Sequence, residues 1–147
     1  MNPETVAATL ADPVASYLAA RAVSEVLAER VARIGAALLA EMVILDDDGN
    51  RISDPADVWM CRDQDSHSYY AELERRTNKA IPHDLPSGHC PSLAAASKMR
   101  NAEDNLILAM GPIFGFDGSK AYNLDLRRKM IKNGVGLVLA VDRVSAA

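Results

Sequence analysis

Hydrophobic positions along this 147-residue chain recur mostly at helical spacing. From Val14 to about Leu45 the pattern is strongest. Val23, Leu27, Val31, Ile34, Leu38, Met42 and Leu45 are separated by 4, 4, 3, 4, 4 and 3 residues, which places them on one stripe of a helix. The other side carries Arg21, Ser24, Glu25 and Arg33. Ala28, Ala32, Gly35, Ala36 and Ala40 leave room for a second backbone to approach. At 1.5 Å per residue such a helix spans roughly 45 Å, long for a small domain. It therefore serves as a spine, breaks near Gly35, or pairs with another subunit. Residues 1–13, bracketed by Pro3 and Pro13, read as an N-terminal arm or short helix, with Asp12 as the cap of the long helix and Pro13 in its first turn.

Beyond Leu45 the pattern changes. Asp46-Asp47-Asp48-Gly49-Asn50 is a turn signal. Met42–Leu45 and Arg51–Ser53 could pair across it as a tiny hairpin, although a simple helix end reads better. Residues 46–90 form an irregular, loop-rich centre, interrupted by a helix capped by Ser66 or Ser68 and running to about Lys79, with Tyr70, Leu73 and Tyr69 as inward candidates. Pro91 opens another helix, with Ala95, Met99, Ala102, Leu106 and Ala109 on its apolar face and Gly111-Pro112 as its end. Asn123 caps a last helix that buries Leu126, Met130 and Ile131, with a C-terminal signal at Asn133-Gly134. The run Gly136–Val141 reads as continued helix, because no partner strand is evident. The expectation is an all-α fold, one domain over 1–147, of four to five helices with a long N-terminal helix.

Composition supports this picture. The chain is 49% hydrophobic, 24% charged and only 5% aromatic, so its core is aliphatic and suited to close helix packing. The formal charge of −4 lacks the overall basic footprint of a nucleic-acid binder. Charge is nevertheless segregated. Residues 46–65 hold seven Asp and two Arg. Residues 120–133 hold Lys120, Arg127, Arg128, Lys129 and Lys132 against Asp125. The basic cluster could contact phosphates, but it has no interleaved aromatics for base stacking. It also complements the acidic segment, in the same chain or in another copy. Two cysteines are too few for a disulfide scaffold. The N-terminus shows no signal-peptide pattern, and no apolar run approaches the ~20 residues needed to cross a bilayer.

Four groups of residues invite a chemical reading. Cys61, His67, His83, His89 and Cys90 fall within thirty residues but lack the short paired spacing of a zinc site. Cys61 or Cys90 as a nucleophile needs a histidine base held close, which nothing in the spacing provides. The Asp-rich turn fails as an EF-hand. Gly49 at loop position six puts Ile44 first and Pro55 twelfth, and neither side chain can ligate calcium. Glu103 and Asp104 could act as an acid–base pair, yet ion pairing with Arg127, Arg128 or Lys129 is the simpler expectation. No nucleotide-binding or hydrolase motif is present.

Leu85-Pro86-Ser87-Gly88-His89-Cys90-Pro91-Ser92-Leu93, followed by Ala102-Glu103-Asp104-Asn105-Leu106-Ile107, resembles a pattern in small helical proteins of tailed bacteriophages and prophages. The resemblance implies viral origin, with no catalytic role and no cofactor to carry over. The leading functional expectation, since small acidic helical phage proteins are often virion parts or assembly factors, is a non-enzymatic virion or assembly component in the host cytoplasm or the assembled virion. The partners it implies are other copies of the chain and other phage proteins, not a membrane. In that reading Leu27, Val31, Ile34 and Leu38 supply an apolar interface, and Arg127, Arg128 and Lys129 set its orientation. The alternatives are a phage-encoded inhibitor or regulator of a host system, binding protein or nucleic acid, and a small zinc- or thiol-dependent enzyme.

Overall fold

The computed structural model describes residues 2–61, 64–85, 90–115 and 123–146. It is all-α: α1 (Pro3–Glu41), a 3-10 turn (Pro55–Met60), α2 (Gln64–Ala80), α3 (Pro91–Phe114) and α4 (Leu124–Ala146). The chain gathers into two compact units, one of residues 1–22 with 96–147, the other of residues 23–95.

The first unit is built on the N-terminal part of α1, most of α3 and α4. Asn2 caps α1, its Oδ1 accepting from the Thr5 amide at 2.8 Å, and Pro3 occupies the first turn, where its missing N–H costs nothing. The expected arm or short helix over residues 1–13 is instead the start of α1, and Asp12 caps nothing: the helix runs straight through Pro13. An interior proline costs about 3 kcal/mol. The offset is visible in the packing. Val6, Leu10, Val14 and Tyr17 lie on one helical face and are all buried, and a break at Asp12 would swing the first two away from the others. Each such burial stabilises by about 1.5–3 kcal/mol.

Opposite them stand Ala102, Leu106, Ile107 and Met110 of α3, with Met130, Ile131 and Val138 of α4. Leu126, expected among these, is half exposed. Two expected helix ends also differ. α3 passes Gly111-Pro112 and stops at Phe114, where Gly115 turns into the left-handed region (φ +73°) and its amide donates to the Gly111 carbonyl at 2.8 Å. Pro112 and Leu108 are both exposed, so the Leu108 carbonyl that loses its helical donor is on the watered side. α4 is capped as expected, with Asn123 Oδ1 accepting from the amides of Asp125 (2.9 Å) and Leu126 (3.2 Å). It then continues past Asn133-Gly134. Gly134 is buried against α3, and a Cβ there would sit 2.8 Å from Met110 Sδ. This glycine permits close helix approach and does not end a helix.

The second unit has its own core of Leu38, Leu39, Ile44, Ile52, Val58 and Tyr69, with Met42, Cys61 and Leu73 packed on it. α1 ends at Glu41, short of Leu45, because Arg51 reaches back and donates to the carbonyls of Ala40 (3.1 Å) and Met42 (3.3 Å), groups that a helix end leaves open. The chain then reverses through the tiny hairpin. Leu45 and Arg51 form an antiparallel bridge, the Asp46 amide donates to the Asn50 carbonyl and the Ile52 amide to the Ile44 carbonyl, both at 2.8 Å, and Gly49 supplies the positive φ of +82°. On α2 the inward tyrosine is Tyr69 (1% exposed), whereas Tyr70 is partly exposed. Tyr69 donates to the carbonyl of Gly35 on α1 at 3.1 Å.

Two polar atoms in this unit, Thr77 Oγ1 and Asn78 Oδ1, are buried without a partner among the described residues. Valine has the shape of threonine without the hydroxyl, and an unsatisfied buried hydroxyl costs about 1–3 kcal/mol. Thr77→Val is therefore expected to stabilise the protein by about 1 kcal/mol, read as a higher midpoint in thermal unfolding. A lower midpoint would mean the hydroxyl has a partner after all.

Candidate interaction surfaces

The carboxylates Glu103 and Asp104, on the second half of α3, meet Arg127 in the first turn of α4. Arg127 Nε donates to Glu103 at 3.2 Å and an Nη to Asp104 at 2.5 Å. Its side chain is only 7% exposed, against 15% for Glu103 and 49% for Asp104. Burial works against the charge on Arg127, and the hydrogen bonds it donates to Asp104 and Glu103 more than offset it, so its pKa lies above the ordinary arginine value. The ion-pair expectation for these carboxylates holds. The same geometry corrects a second expectation: Arg127 is spent inside its own unit and is not offered to a partner or a phosphate. Arg128 and Lys129 remain exposed, and Lys120 lies outside the described residues.

A second ionic group lies in the other unit. Arg76 of α2 donates to Glu41 at the end of α1 (2.9 Å) and to Glu72 (3.0 Å), while Arg75 also holds Glu72. Hydrogen bonds from Arg75 and then Arg76 lower the Glu72 pKa to about 2, and Arg76 lowers that of Glu41 in the same way. A lowered carboxylate pKa stabilises the fold above the ordinary carboxylate value, and that contribution is lost as the pH falls through the folded value. Glu72 is therefore expected to titrate near pH 2 in carboxyl NMR. Arg75→Ala with Arg76→Ala should return it toward the usual range. A wild-type midpoint above 4 would contradict the pairing.

The cysteine and histidine candidates do not converge. Cys61 is half-buried, its thiol donating to the Leu45 carbonyl at 3.7 Å. Cys90 is half-buried with its thiol 3.2 Å from Ser92 Oγ. His83 is exposed and accepts from the Leu85 amide through Nδ1; His67 is exposed; His89 lies outside the described residues. Among the described residues, no three of His, Cys, Asp and Glu stand close enough to hold a metal ion. The Asp46 carboxylate serves its own turn, accepting from the amides of Asp48 and Asn50.

What the structure does expose is apolar surface. In the expected seam on α1, Val23 and Leu45 are exposed, Leu27, Val31, Ile34 and Met42 are half-buried, and Leu38 is buried in the core of its own unit. Leu38 is thus withdrawn from any interface. The sequence reading missed a more prominent feature. Trp59 and Met60, at the end of the 3-10 turn, are 71% and 66% exposed. They directly precede Cys61, which touches Leu45, and Val43 nearby in sequence is also exposed. The turn is fixed by Asp54, whose Oδ1 accepts from the Ala56 amide, with Pro55 in its first position and Val58 as its buried anchor. A 3-10 turn has three residues per turn, so Pro55 and Val58 share one side, and buried Val58 binds the turn to the core while Trp59 and Met60 face out. Asp46, Asp47, Asp48, Asp54 and Asp57 surround this knuckle in sequence, with Arg51 their sole cationic neighbour between residues 43 and 60.

The exposed face of α4 is the opposite in sign. Leu124, Arg128, Lys132, Gly136, Leu139 and Arg143 follow one another at spacings of 4, 4, 4, 3 and 4 and are all exposed, with Lys129 alongside. A shallow groove of about 470 Å³ in the same unit has an alanine-rich floor (Ala7, Ala8, Ala11) against Val138 and Leu139, rimmed by Glu4, Asp12 and Asp142. Its only ionisable lining groups among the described residues are these three rim carboxylates. No described helix is long and apolar enough to cross a membrane. No protein-family model matches the chain, and no characterised protein or solved structure is significantly similar to it.

Proposed function

We propose that the chain is a non-enzymatic protein that works by binding other protein surfaces, chiefly further copies of itself, as a structural or assembly component of a tailed-phage particle. The observation that carries the protein-contact reading is the Trp59–Met60 knuckle. The chain has a single tryptophan, and a side chain that would contribute strongly to either core is left in water, next to another large apolar residue. Exposed tryptophan ringed by polar residues is characteristic of contact hot spots. The acidic setting of the knuckle and the basic face of α4 supply the electrostatic complementarity that fixes register between copies. Placement in a phage particle rests on the resemblance over residues 85–107 alone.

Light scattering on the full chain at low salt tests the reading. The average mass should rise with concentration over about 1–100 µM, the range expected of a small contact. A strict monomer throughout that range overturns self-association. The phage placement is tested separately by the genes on either side: portal and capsid genes support it, and a setting without any phage gene overturns it.

A further inference from the structure

The two exposed surfaces carry opposite charge, and a glycine that no contact among the described residues requires marks a place on one of them. Gly134 and Gly136 stand two residues apart on α4 and differ completely. Gly134 is buried, and its lack of a side chain makes room for Met110. Gly136 is exposed, and a Cβ built on it meets nothing within 4 Å. A glycine inside an exposed helix costs about 1 kcal/mol relative to alanine, and no contact among the described residues demands it. It leaves bare backbone on the basic face, flanked one turn before by Lys132 and one turn after by Leu139.

We infer that this notch receives the Trp59 indole of a second copy of the chain, in an interface that joins the Trp59–Met60 knuckle of one copy to the α4 face of the next. The inference rests on the self-association reading above and names its two surfaces. An indole laid on Gly136 covers helix backbone that a side chain would otherwise hold away. It packs its edge on Leu139 and brings its face within reach of the Lys132 ammonium, an attraction that strengthens when both are desolvated. Asp54 and Asp57, on the same turn as Trp59, then approach Arg128, Lys129 and Lys132. The acidic groove beside Leu139, rimmed by Glu4, Asp12 and Asp142, would repel the same knuckle, so charge directs it to the basic side of α4.

Knuckle and notch are different surfaces and each copy carries one of each, so the contact either closes reciprocally between two copies or continues into rings or open chains. This property makes the inference testable with two variants of the full chain, Trp59→Ala and Gly136→Glu. The second improves helix propensity and displaces nothing within the protein, so it folds. It also puts a carboxylate where the acidic knuckle must land.

Each variant alone is expected to lose association by at least about thirtyfold, the effect of removing an interface hot spot. An equimolar mixture is expected to form a 1:1 heterodimer and nothing larger, since only one intact knuckle and one intact notch remain. Tryptophan emission, which comes from Trp59 alone, should shift to the blue as wild type is concentrated, should not do so in Gly136→Glu, and should revert when salt screens the charges. If the wild type associates and either variant associates equally well, or if both variants dissociate and the mixture stays monomeric, this pairing is wrong while self-association stands. If the wild type never associates, the proposed function falls with it.

Discussion

Arg127→Ala is expected to destabilise the protein by about 3 kcal/mol, a drop in thermal midpoint of roughly 6–12 °C for a chain of this size. The reason is asymmetry. Removing the guanidinium discards its packing and leaves Glu103, itself only 15% exposed, as a poorly solvated carboxylate without its cation. Breaking a buried pair from one side costs about 3–5 kcal/mol. The low end applies here because Asp104 is half exposed and recovers water. Arg127→Met should lose less than alanine, since a long apolar stem keeps most of the packing. Adding Glu103→Gln to Arg127→Met should then recover part of the loss, because the orphaned charge is gone. Scanning calorimetry of the three variants gives the comparison. If Arg127→Ala melts within a degree or two of wild type, the triad is ornamental and Arg127 belongs again among residues free to meet a partner.

The second large effect centres on Tyr69. Tyr69→Ala is expected to cost about 4 kcal/mol, within the range for removing a buried aromatic. It empties the middle of the second unit's core, removes the edge-to-face contact with Tyr70 and deletes the hydrogen bond to the Gly35 carbonyl. The sharper consequence lies at Gly35. A Cβ there would sit 2.7 Å from the Tyr69 hydroxyl, closer than any real contact, and Tyr69 is too tightly packed to yield. Gly35→Ala should therefore destabilise the wild type, by about 1–3 kcal/mol from overpacking less the helix-propensity gain. In the Tyr69→Ala background the obstruction is absent and only the propensity gain remains, so the same substitution should stabilise by about 1 kcal/mol. This reversal of sign, measured in a denaturant double-mutant cycle, identifies the contact. Additive effects would show that Gly35 and Tyr69 do not interact.

Much of this architecture is legible in the sequence because helices repeat. The stripe along α1, the opening of α3 at Pro91 and the Asn123 cap of α4 follow from spacing and from the chemistry of first turns, both local. What is not legible depends on atoms far along the chain. Gly49, Gly115 and Gly134 are the same residue in a turn, at a helix end and under a neighbouring side chain, and only Met110 on another helix separates the third from the second. Pro13 looks like a helix start by every local rule, and burial of Val6 and Leu10 overrides it. Among the surfaces, the acidic and basic segments are visible as counts of charge, and the pairing of Glu103 and Asp104 with a cation of α4 is foreseeable. The roles of Leu38 and Arg127 are not, since an amphipathic stripe does not reveal which of its members the chain covers for itself. Trp59 is the clearest case. Nothing in a run such as Asp57-Val58-Trp59-Met60 says which apolar residue turns inward. A single tight turn anchored by Val58 decides it.

The placement of Met110 has a bearing on how the protein tolerates oxidants. Its sulfur lies against the bare backbone of Gly134, with too little space even for one more carbon, so converting it to the sulfoxide, a bulkier and polar group, requires the two helices to part. Met60 stands in water and is free to react without disturbing any core. Peroxide would thus mark the exposed knuckle first and the heart of the first unit only when that unit opens, so the wear of oxidation falls on a bare turn at the surface before it reaches the structure that holds the chain up.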